Sequence, residues 1–109
     1  MTNPWIEILK AATRAKVRQE RELLGMTIFK EALFHFGEGH QVLKAIEELN
    51  ELSVELARFK ICPDNVMECT DEIADCYIML AQLKEVFGAD KVDRRIEEKT
   101  ERLRRLITE

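Results

Sequence analysis

Apolar residues recur at spacings of three and four along most of the chain, which is the period of an amphipathic α-helix. Residues that favour helix starts and ends divide this pattern into five segments. The first predicted helix runs from Pro4 to about Leu24, where Gly25 can end it, and the second runs from Thr27 through Phe36. The third runs from about His40 to Ile61, the fourth from Asp64 to about Phe87, and the fifth from Asp90 to the C-terminus. The predicted N-caps are Asn3 for the first helix, Thr27 for the second, Asp64 for the fourth and Asp90 for the fifth. Gly37 and Gly39 are predicted to bracket a turn. The pattern therefore predicts an all-α protein, a small bundle of four to five helices.

The third predicted helix carries a polar row beside its apolar stripe. At 100° per residue this row falls within an arc of roughly 80°. Its members are Gln41, Lys44, Glu48, Glu51 and Glu55. A solvent-facing row would lie opposite the apolar stripe and would mix acids with bases. Because this mainly acidic row adjoins apolar residues such as Ile46 and Leu49, it is placed to face inward at the rim of a packed interface.

Two carboxylate motifs lie on the third and fourth helices, E-E-x-x-E at residues 47–51 and E-x-x-D at residues 72–75. Residues three apart share one side of a helix, roughly 5–6 Å apart at Cβ. If the two helices pack with these sides facing, four carboxylates converge, those of Glu48, Glu51, Glu72 and Asp75. Four anions repel one another unless cations intervene, and hard oxygen ligands select Mg²⁺, with Mn²⁺ as a substitute. The motifs therefore predict a metal site.

Composition agrees with a single helical domain. The chain has 109 residues, of which 35% are charged, and only four glycines and two prolines. These values disfavour a β-sandwich, which needs frequent turns. No run approaches the roughly 18 consecutive apolar residues of a membrane span, and the N-terminus has no signal-peptide pattern. We therefore expect a cytoplasmic protein without a membrane partner.

The net charge of −4 is distributed unevenly along the chain. Residues 31–75 carry eleven acids and three bases, net −8, whereas residues 1–30 are net +3 and residues 76–109 are net +1. The acidic centre disfavours nucleic acid as a partner. A basic face between Lys10 and Arg21 is the feature in favour of nucleic acid. Because no aromatic residues interleave with it, we interpret this face as solvated or as packed on a neighbouring helix or subunit.

Three other kinds of site are not supported. Cys69 and Cys76 would lie about 10.5 Å apart along a helix, too far for a disulfide, and with Cys62 they give no C-x-x-C spacing for zinc. A di-iron bundle needs a histidine three residues after a glutamate on two helices. Neither His35 nor His40 has a glutamate at that spacing.

The two carboxylate motifs on successive helices resemble those of the MazG-like all-α nucleoside triphosphate pyrophosphohydrolases. The similarity covers roughly residues 27–107, and it includes Phe36-Gly37, residues 45–52, residues 71–75 and residues 97–103 of the basic last helix. We therefore assign residues 27–109 to a MazG-like domain and residues 1–26 to an N-terminal helix outside the resemblance. The resemblance implies a Mg²⁺-dependent hydrolase that converts a ribo- or deoxynucleoside triphosphate to the monophosphate and pyrophosphate. It also implies a homodimer or homotetramer, and a role in nucleotide house-cleaning, in pool control or in a phage.

The resemblance also implies roles for individual residues. The metal ligands would be Glu48, Glu51, Glu72 and Asp75. Glu51 is our assignment for the residue that orients or deprotonates the attacking water, with Glu47 and Glu55 as competing assignments. We expect Gln41 to hydrogen-bond the base or sugar of the substrate. The residues expected to bind its phosphates are Lys44, Lys99, Arg102 and Arg105. For the last three residues, surface ion pairing with Glu97, Glu98 and Glu101 is the alternative.

A second interpretation of the whole chain is a non-catalytic helical-bundle interaction protein whose acidic faces are solvated. Acidic runs on helices are common, and E-E-x-x-E alone is a weak signal. No motif marks the preferred base or sugar. The two interpretations differ in whether the carboxylates of the two helices converge.

Overall fold

The computed structural model describes the backbone of residues 3–23 and 27–109 and the side chains of residues 3–19 and 27–109. Within these ranges the chain forms five helices and no strand. They are α1 (Pro4–Leu23), α2 (Ile28–Phe36), α3 (Glu38–Ile61), α4 (Val66–Phe87) and α5 (Ala89–Thr108). The prediction of a small all-α bundle is confirmed. The predicted end of the first helix at Leu24 and Gly25 lies outside the described residues.

Two of the predicted helix starts are confirmed by their capping hydrogen bonds. The amide of Trp5 donates to Oδ1 of Asn3 at 3.0 Å, and the amide of Lys30 donates to Oγ1 of Thr27 at 3.3 Å. Each bond satisfies one of the amides that the first turn of a helix leaves without a partner.

None of the helices in the described part of the chain is long and apolar enough to cross a membrane.

Helix α3 begins two residues before the predicted start near His40, and the predicted N-cap of α5 is wrong, for one shared reason. Gly37 and Gly88 adopt φ values of +92° and +106°, and each reverses the chain within a single residue. Helix α3 therefore begins at Glu38, with Gly39 inside its first turn instead of in a loop. Helix α5 begins at Ala89, so Asp90 lies in the first turn and is not the N-cap.

The predicted N-cap of α4 is also wrong. Asp64 belongs to a turn, and the residue that precedes the helix is Asn65, which is buried. The side chain of Asn65 is committed elsewhere, because its Nδ2 donates to the carbonyl of Glu55 at 3.0 Å and to Oε2 of Glu55 at 2.6 Å. Asn65 therefore links the start of α4 to Glu55 of α3 by two hydrogen bonds.

The hairpin of α3 and α4 forms the centre of the molecule. Helix α2 packs against both of these helices, α5 packs against α4, and α1 packs against no other helix in the described part of the chain. Ion pairs support the outer contacts: Lys30 lies 3.6 Å from Glu85, and Lys84 lies 2.5 Å from Asp93.

The buried surface between α3 and α4 is as polar as it is apolar. The buried apolar residues are Ala45, Cys69, Cys76 and Met79, and the buried polar residues are Gln41, Glu48, Asn65 and Gln82. Buried polar side chains are uncommon in helix interfaces and need partners. The polar row of α3 thus faces inward at Gln41 and Glu48, as its position beside the apolar stripe predicted.

The apolar stripe of α3, by contrast, is only partly covered: Val42 and Leu52 are half-buried, and other members are exposed. Ile46, Leu49 and Leu56 are 50%, 38% and 47% exposed, and we call these three residues the outer stripe. The chain is also extended. Its radius of gyration is 19.0 Å, against about 13 Å for a compact chain of this length. Its accessible surface is 9183 Å², against roughly 6200 Å² for a folded monomer of this mass.

Candidate metal centre

Three carboxylates from two helices converge at the centre of the hairpin. Glu48 and Glu51 come from α3 and Glu72 comes from α4, and one oxygen of each lies within 4.8 Å of the other two. We call these residues the carboxylate cluster. Glu48 is buried, Glu72 is half-buried and Glu51 is exposed, so the cluster is closed on one side and open to solvent on the other. The predicted convergence is therefore found for three of the four residues.

Two oxygens of the cluster are buried without a hydrogen-bond partner. They are Oε2 of Glu48 and Oε2 of Glu72. An unpaired buried carboxylate oxygen is costly unless a cation or a proton compensates for it. The one cation paired with the cluster among the described residues is Lys44, whose Nζ lies 3.4 Å from Oε1 of Glu48 and 3.5 Å from Oε2 of Glu47. One lysine does not neutralise three carboxylates.

The pKa values reflect this crowding of negative charge. Burial raises the pKa of Glu72 above its ordinary value, and the charges of Glu51, Glu48 and Asp75 raise it further. The hydrogen bond to Glu48 and the charge of Glu48 raise the pKa of Lys44. The site therefore favours an added positive charge.

A buried thiol lies next to the cluster, against the backbone of Glu48. Sγ of Cys76 donates to the backbone carbonyl of Glu48 at 3.3 Å. Burial raises the pKa of this thiol, and the charges of the neighbouring carboxylates raise it further. The thiol stays protonated, so Cys76 acts as a small packing residue. Cys62, Cys69 and Cys76 are all free, in agreement with the predicted absence of a disulfide framework.

The cluster fits a small hard cation. Its donors are carboxylate oxygens, which Mg²⁺ and Mn²⁺ prefer. Around one octahedral ion with oxygens at 2.0–2.1 Å, adjacent oxygens are roughly 2.9 Å apart and opposite ones roughly 4.2 Å. The three oxygens, which lie within 4.8 Å of one another, would therefore draw closer on binding. The two unpartnered oxygens of Glu48 and Glu72 would gain a partner, and the exposed Glu51 leaves that side of the cluster open to water.

Two other motif residues lie outside this group. Asp75 is exposed one turn after Glu72, and although its charge raises the pKa of Glu72, its carboxylate is not among the three that converge. Glu47 is exposed and pairs with Lys44. Asp75 as a metal ligand and Glu47 as a catalytic residue stay predictions.

Two further residues of the polar row are held by structural contacts. Gln41 is buried, and its Nε2 donates to Oε1 of Gln82 at 2.7 Å. Glu55, one of the competing assignments for the base, accepts from Asn65 at 2.6 Å and from Arg58 at 3.0 Å. Both side chains therefore already have partners within the chain. The role of Gln41 toward base or sugar stays a prediction.

The basic row of α5 is free of ion pairs in the described part of the chain. This row consists of Lys99, Arg102 and Arg105, and all three are exposed. The neighbouring acids pair with other arginines, Glu98 with Arg95 and Glu101 with Arg104. Helix α5 does not pack against α3, so the structure does not bring the row to Glu48 or Glu51.

Sequence reasoning missed three residues whose side chains bond to α3: Gln82, Asn65 and Cys76. Across the α3–α4 interface, Cys76 bonds to a residue 28 positions away and Gln82 bonds to a residue 41 positions away. An amide or a thiol within a helix carries no local signal of such a bond. The heptad spacing of Cys69 and Cys76 was the available hint that both lie on the packed face of α4.

The chain was compared with protein-family models, with curated proteins and with solved structures, and none of them matches it. The interpretation of the site therefore depends on its own geometry and chemistry.

Proposed function

We propose that the protein is a Mg²⁺-dependent nucleoside triphosphate pyrophosphohydrolase that acts in the cytoplasm, on ribo- or deoxynucleotides. One observation carries the proposal. Three carboxylates from α3 and α4 converge within 4.8 Å, and two of their oxygens are buried without a partner. A solvated acidic face would spread its charges apart in water, and it would not bury them together.

Glu48, Glu51 and Glu72 would hold the ion, and Asp75 is placed to join them if a second ion binds. Mg²⁺ bound there would polarise the phosphate oxygens and offset the charge that otherwise keeps a triphosphate away from the carboxylates. Mn²⁺ would substitute because it accepts the same oxygen ligands.

Glu51 is the residue that we assign to the water. It is the exposed member of the cluster, so a water that approaches from the open side meets it first. A carboxylate there accepts a proton as the water attacks the α-phosphorus. The bond from this phosphorus to the oxygen that bridges to the β-phosphate breaks, and the products are the monophosphate and pyrophosphate. Glu47, one residue from Glu48 and paired with Lys44, is a competing assignment for this role.

Positive side chains would contact the phosphates. Lys44 lies at the edge of the cluster, 3.4 Å from Glu48, and its exposed ammonium can reach a phosphate oxygen. Lys99, Arg102 and Arg105 have no ion pair among the described residues, which leaves them available for the same purpose. Because α5 does not pack on α3, this role requires either a movement of α5 or the α5 helix of another subunit.

We also propose that the protein is a homodimer or homotetramer. The accessible surface exceeds that of a compact monomer by roughly 3000 Å². Obligate homodimers bury roughly 2000–5000 Å² in total. The outer stripe of α3 and the exposed apolar residues of α1 and α5, such as Trp5 and Leu106, supply suitable surface.

The reaction can be tested with a panel of eight ribo- and deoxynucleoside triphosphates in the presence of Mg²⁺. We expect equimolar pyrophosphate and monophosphate, no product in EDTA, and loss of product in Glu51→Gln. Glu68→Gln is the matched control, because Glu68 is an exposed glutamate of α4 outside the cluster. Release of single phosphates would indicate that a different bond is cleaved. Absence of turnover and of Mg²⁺ binding would favour the non-catalytic interaction protein.

A further inference from the structure

A pair of exposed aromatic rings lies at the elbow between α2 and α3. Phe36 is the last residue of α2 and His40 lies in the first turn of α3, and their rings stack with centroids 6.1 Å apart and planes 25° apart. Gly37 permits this contact because its positive φ turns the chain within one residue. Phe36 is 56% exposed, so the stack remains accessible to a ligand.

A chain of hydrogen bonds fixes the orientation of the His40 ring. Nε2 of Gln82 donates to the carbonyl of Ile78, which leaves Oε1 of Gln82 to accept from Nε2 of Gln41 at 2.7 Å. Oε1 of Gln41 therefore faces Nδ1 of His40, 2.9 Å away, and Nδ1 carries the hydrogen. An exposed ring is thus held in place by buried partners.

The stacked pair lies in line with the carboxylate cluster along α3. At 100° per residue, His40, Lys44 and Glu51 fall within about 40° of one another around the helix. His40 precedes Glu48 by eight residues, about 12 Å along the axis, with Lys44 halfway. In this order an aromatic surface, a lysine at the edge of the cluster and the cluster itself match an extended nucleotide: the base, then the sugar and α-phosphate, then the metal-bound phosphates.

We propose that Phe36 and His40 form the nucleobase subsite of this nucleotide site, an inference that rests on the proposed function. The base stacks on the exposed side of the ring pair while the phosphates reach the cluster. Because every base has a π face, such a surface contributes affinity for all bases and does not select one of them. The buried Gln41–Gln82 pair positions the subsite through His40.

Two ligands separate this subsite from the cluster. A non-hydrolysable α,β-methylene deoxyadenosine triphosphate has both a base and phosphates, whereas inorganic tripolyphosphate has only phosphates. Calorimetric titration in Mg²⁺ would compare the natural protein with Phe36→Leu and His40→Asn. Asparagine retains an N–H for Gln41 and removes the ring. Phe34→Leu is the control, because Phe34 lies on the same helix, is 79% exposed and is outside the stack.

We expect Phe36→Leu and His40→Asn each to weaken nucleotide binding roughly tenfold, the effect of losing one stacking contact. Their tripolyphosphate affinity should be unchanged, and Phe34→Leu should change neither affinity. Equal weakening of both ligands, or of neither, would overturn the subsite and leave the proposed function intact. If the natural protein binds neither ligand in Mg²⁺, both proposals fail. Thermal unfolding of each variant establishes that it is folded.

Discussion

Two sides of α3 differ in the residues that they bury and expose. The face toward α4 buries Gln41 and Glu48, whereas the outer stripe of Ile46, Leu49 and Leu56 is exposed. A helix in a monomeric bundle normally buries its apolar stripe and leaves its charges in water. The difference is consistent with the two proposals above, a cation at the carboxylate cluster and a second subunit against the outer stripe.

The largest expected effect comes from the inner face. Glu72→Gln removes the carboxylate that α4 contributes to the cluster, and we expect kcat/KM for triphosphate hydrolysis to fall by at least about 100-fold. Asp75→Asn should cause a smaller loss, because Asp75 lies outside the converging group. Steady-state kinetics of the two variants and of Glu68→Gln measure this. Equal losses in Glu72→Gln and Asp75→Asn would place all four carboxylates in one site.

The outer stripe can be disrupted independently. Ile46→Lys with Leu49→Lys places two charges on the apolar surface, and each loses about 1.5–3 kcal/mol of burial. We therefore expect the dissociation constant between subunits to rise by about 100-fold or more. Sedimentation velocity at micromolar concentration would show the natural protein as an oligomer and the double variant as a monomer. Asn50→Lys is the control, since Asn50 is already polar and exposed on the same helix. A monomeric natural protein would contradict this view of the outer face.

The buried amides of the inner face allow a test of stability. Gln82→Leu leaves Nε2 of Gln41 buried without its acceptor, which should lower the free energy of unfolding by about 1–3 kcal/mol. Replacing Gln41 by leucine as well removes the unpaired group, so the double variant should recover part of the loss. Urea denaturation at pH 7 measures both changes. An unchanged midpoint for Gln82→Leu would show that water satisfies Gln41 and that the face is looser than described.

The raised pKa of Glu72 predicts a pH dependence in the metal-free protein. The folded state retains this proton to a higher pH than the unfolded chain, whose carboxyl has the ordinary value of 4.5. The contribution of Glu72 to stability therefore falls as the pH rises from 4.5 through the raised pKa. Glu72→Gln should be more stable than the natural protein at pH 7 in EDTA, and the difference should vanish at pH 4. Thermal unfolding across this range gives the result, and saturating Mg²⁺ should reverse the order at pH 7. A constant difference at every pH would have another cause.

The smallest effect concerns the cysteines. Cys62 is exposed, whereas Cys69 and Cys76 are buried where α4 packs against α3. Burial is the main cause of their raised pKa values. Cys62 should react with a thiol reagent at least about tenfold faster than the other two. Mass spectrometry of the modified protein distinguishes the sites. Comparable rates for all three would mean that the α3–α4 interface opens readily.

The sequence was informative where a signal is local. The helical period and the caps at Asn3 and Thr27 located five helices, and the three-residue spacings placed Glu48, Glu51 and Glu72 on facing sides. Helix starts next to Gly37 and Gly88 were misplaced, because a single glycine with positive φ makes a turn that residue preferences do not resolve. Bonds between distant residues, such as Gln41 to Gln82, could not be predicted at all. These bonds depend on the register in which α3 packs against α4, and the residue pattern of the two helices does not determine that register.

Direct metal binding is the measurement that bears most closely on the central claim, that the carboxylate cluster is a metal site. Titration with Mn²⁺, followed by the loss of the electron paramagnetic resonance signal of the free ion, counts sites without requiring a substrate. Competition with Mg²⁺ then measures the affinity for Mg²⁺. The account predicts saturable binding in the natural protein and in Glu68→Gln, and at least about a tenfold loss of affinity in Glu72→Gln. Weak binding that is the same in all three proteins would contradict it, because the carboxylates would then be ordinary surface charges.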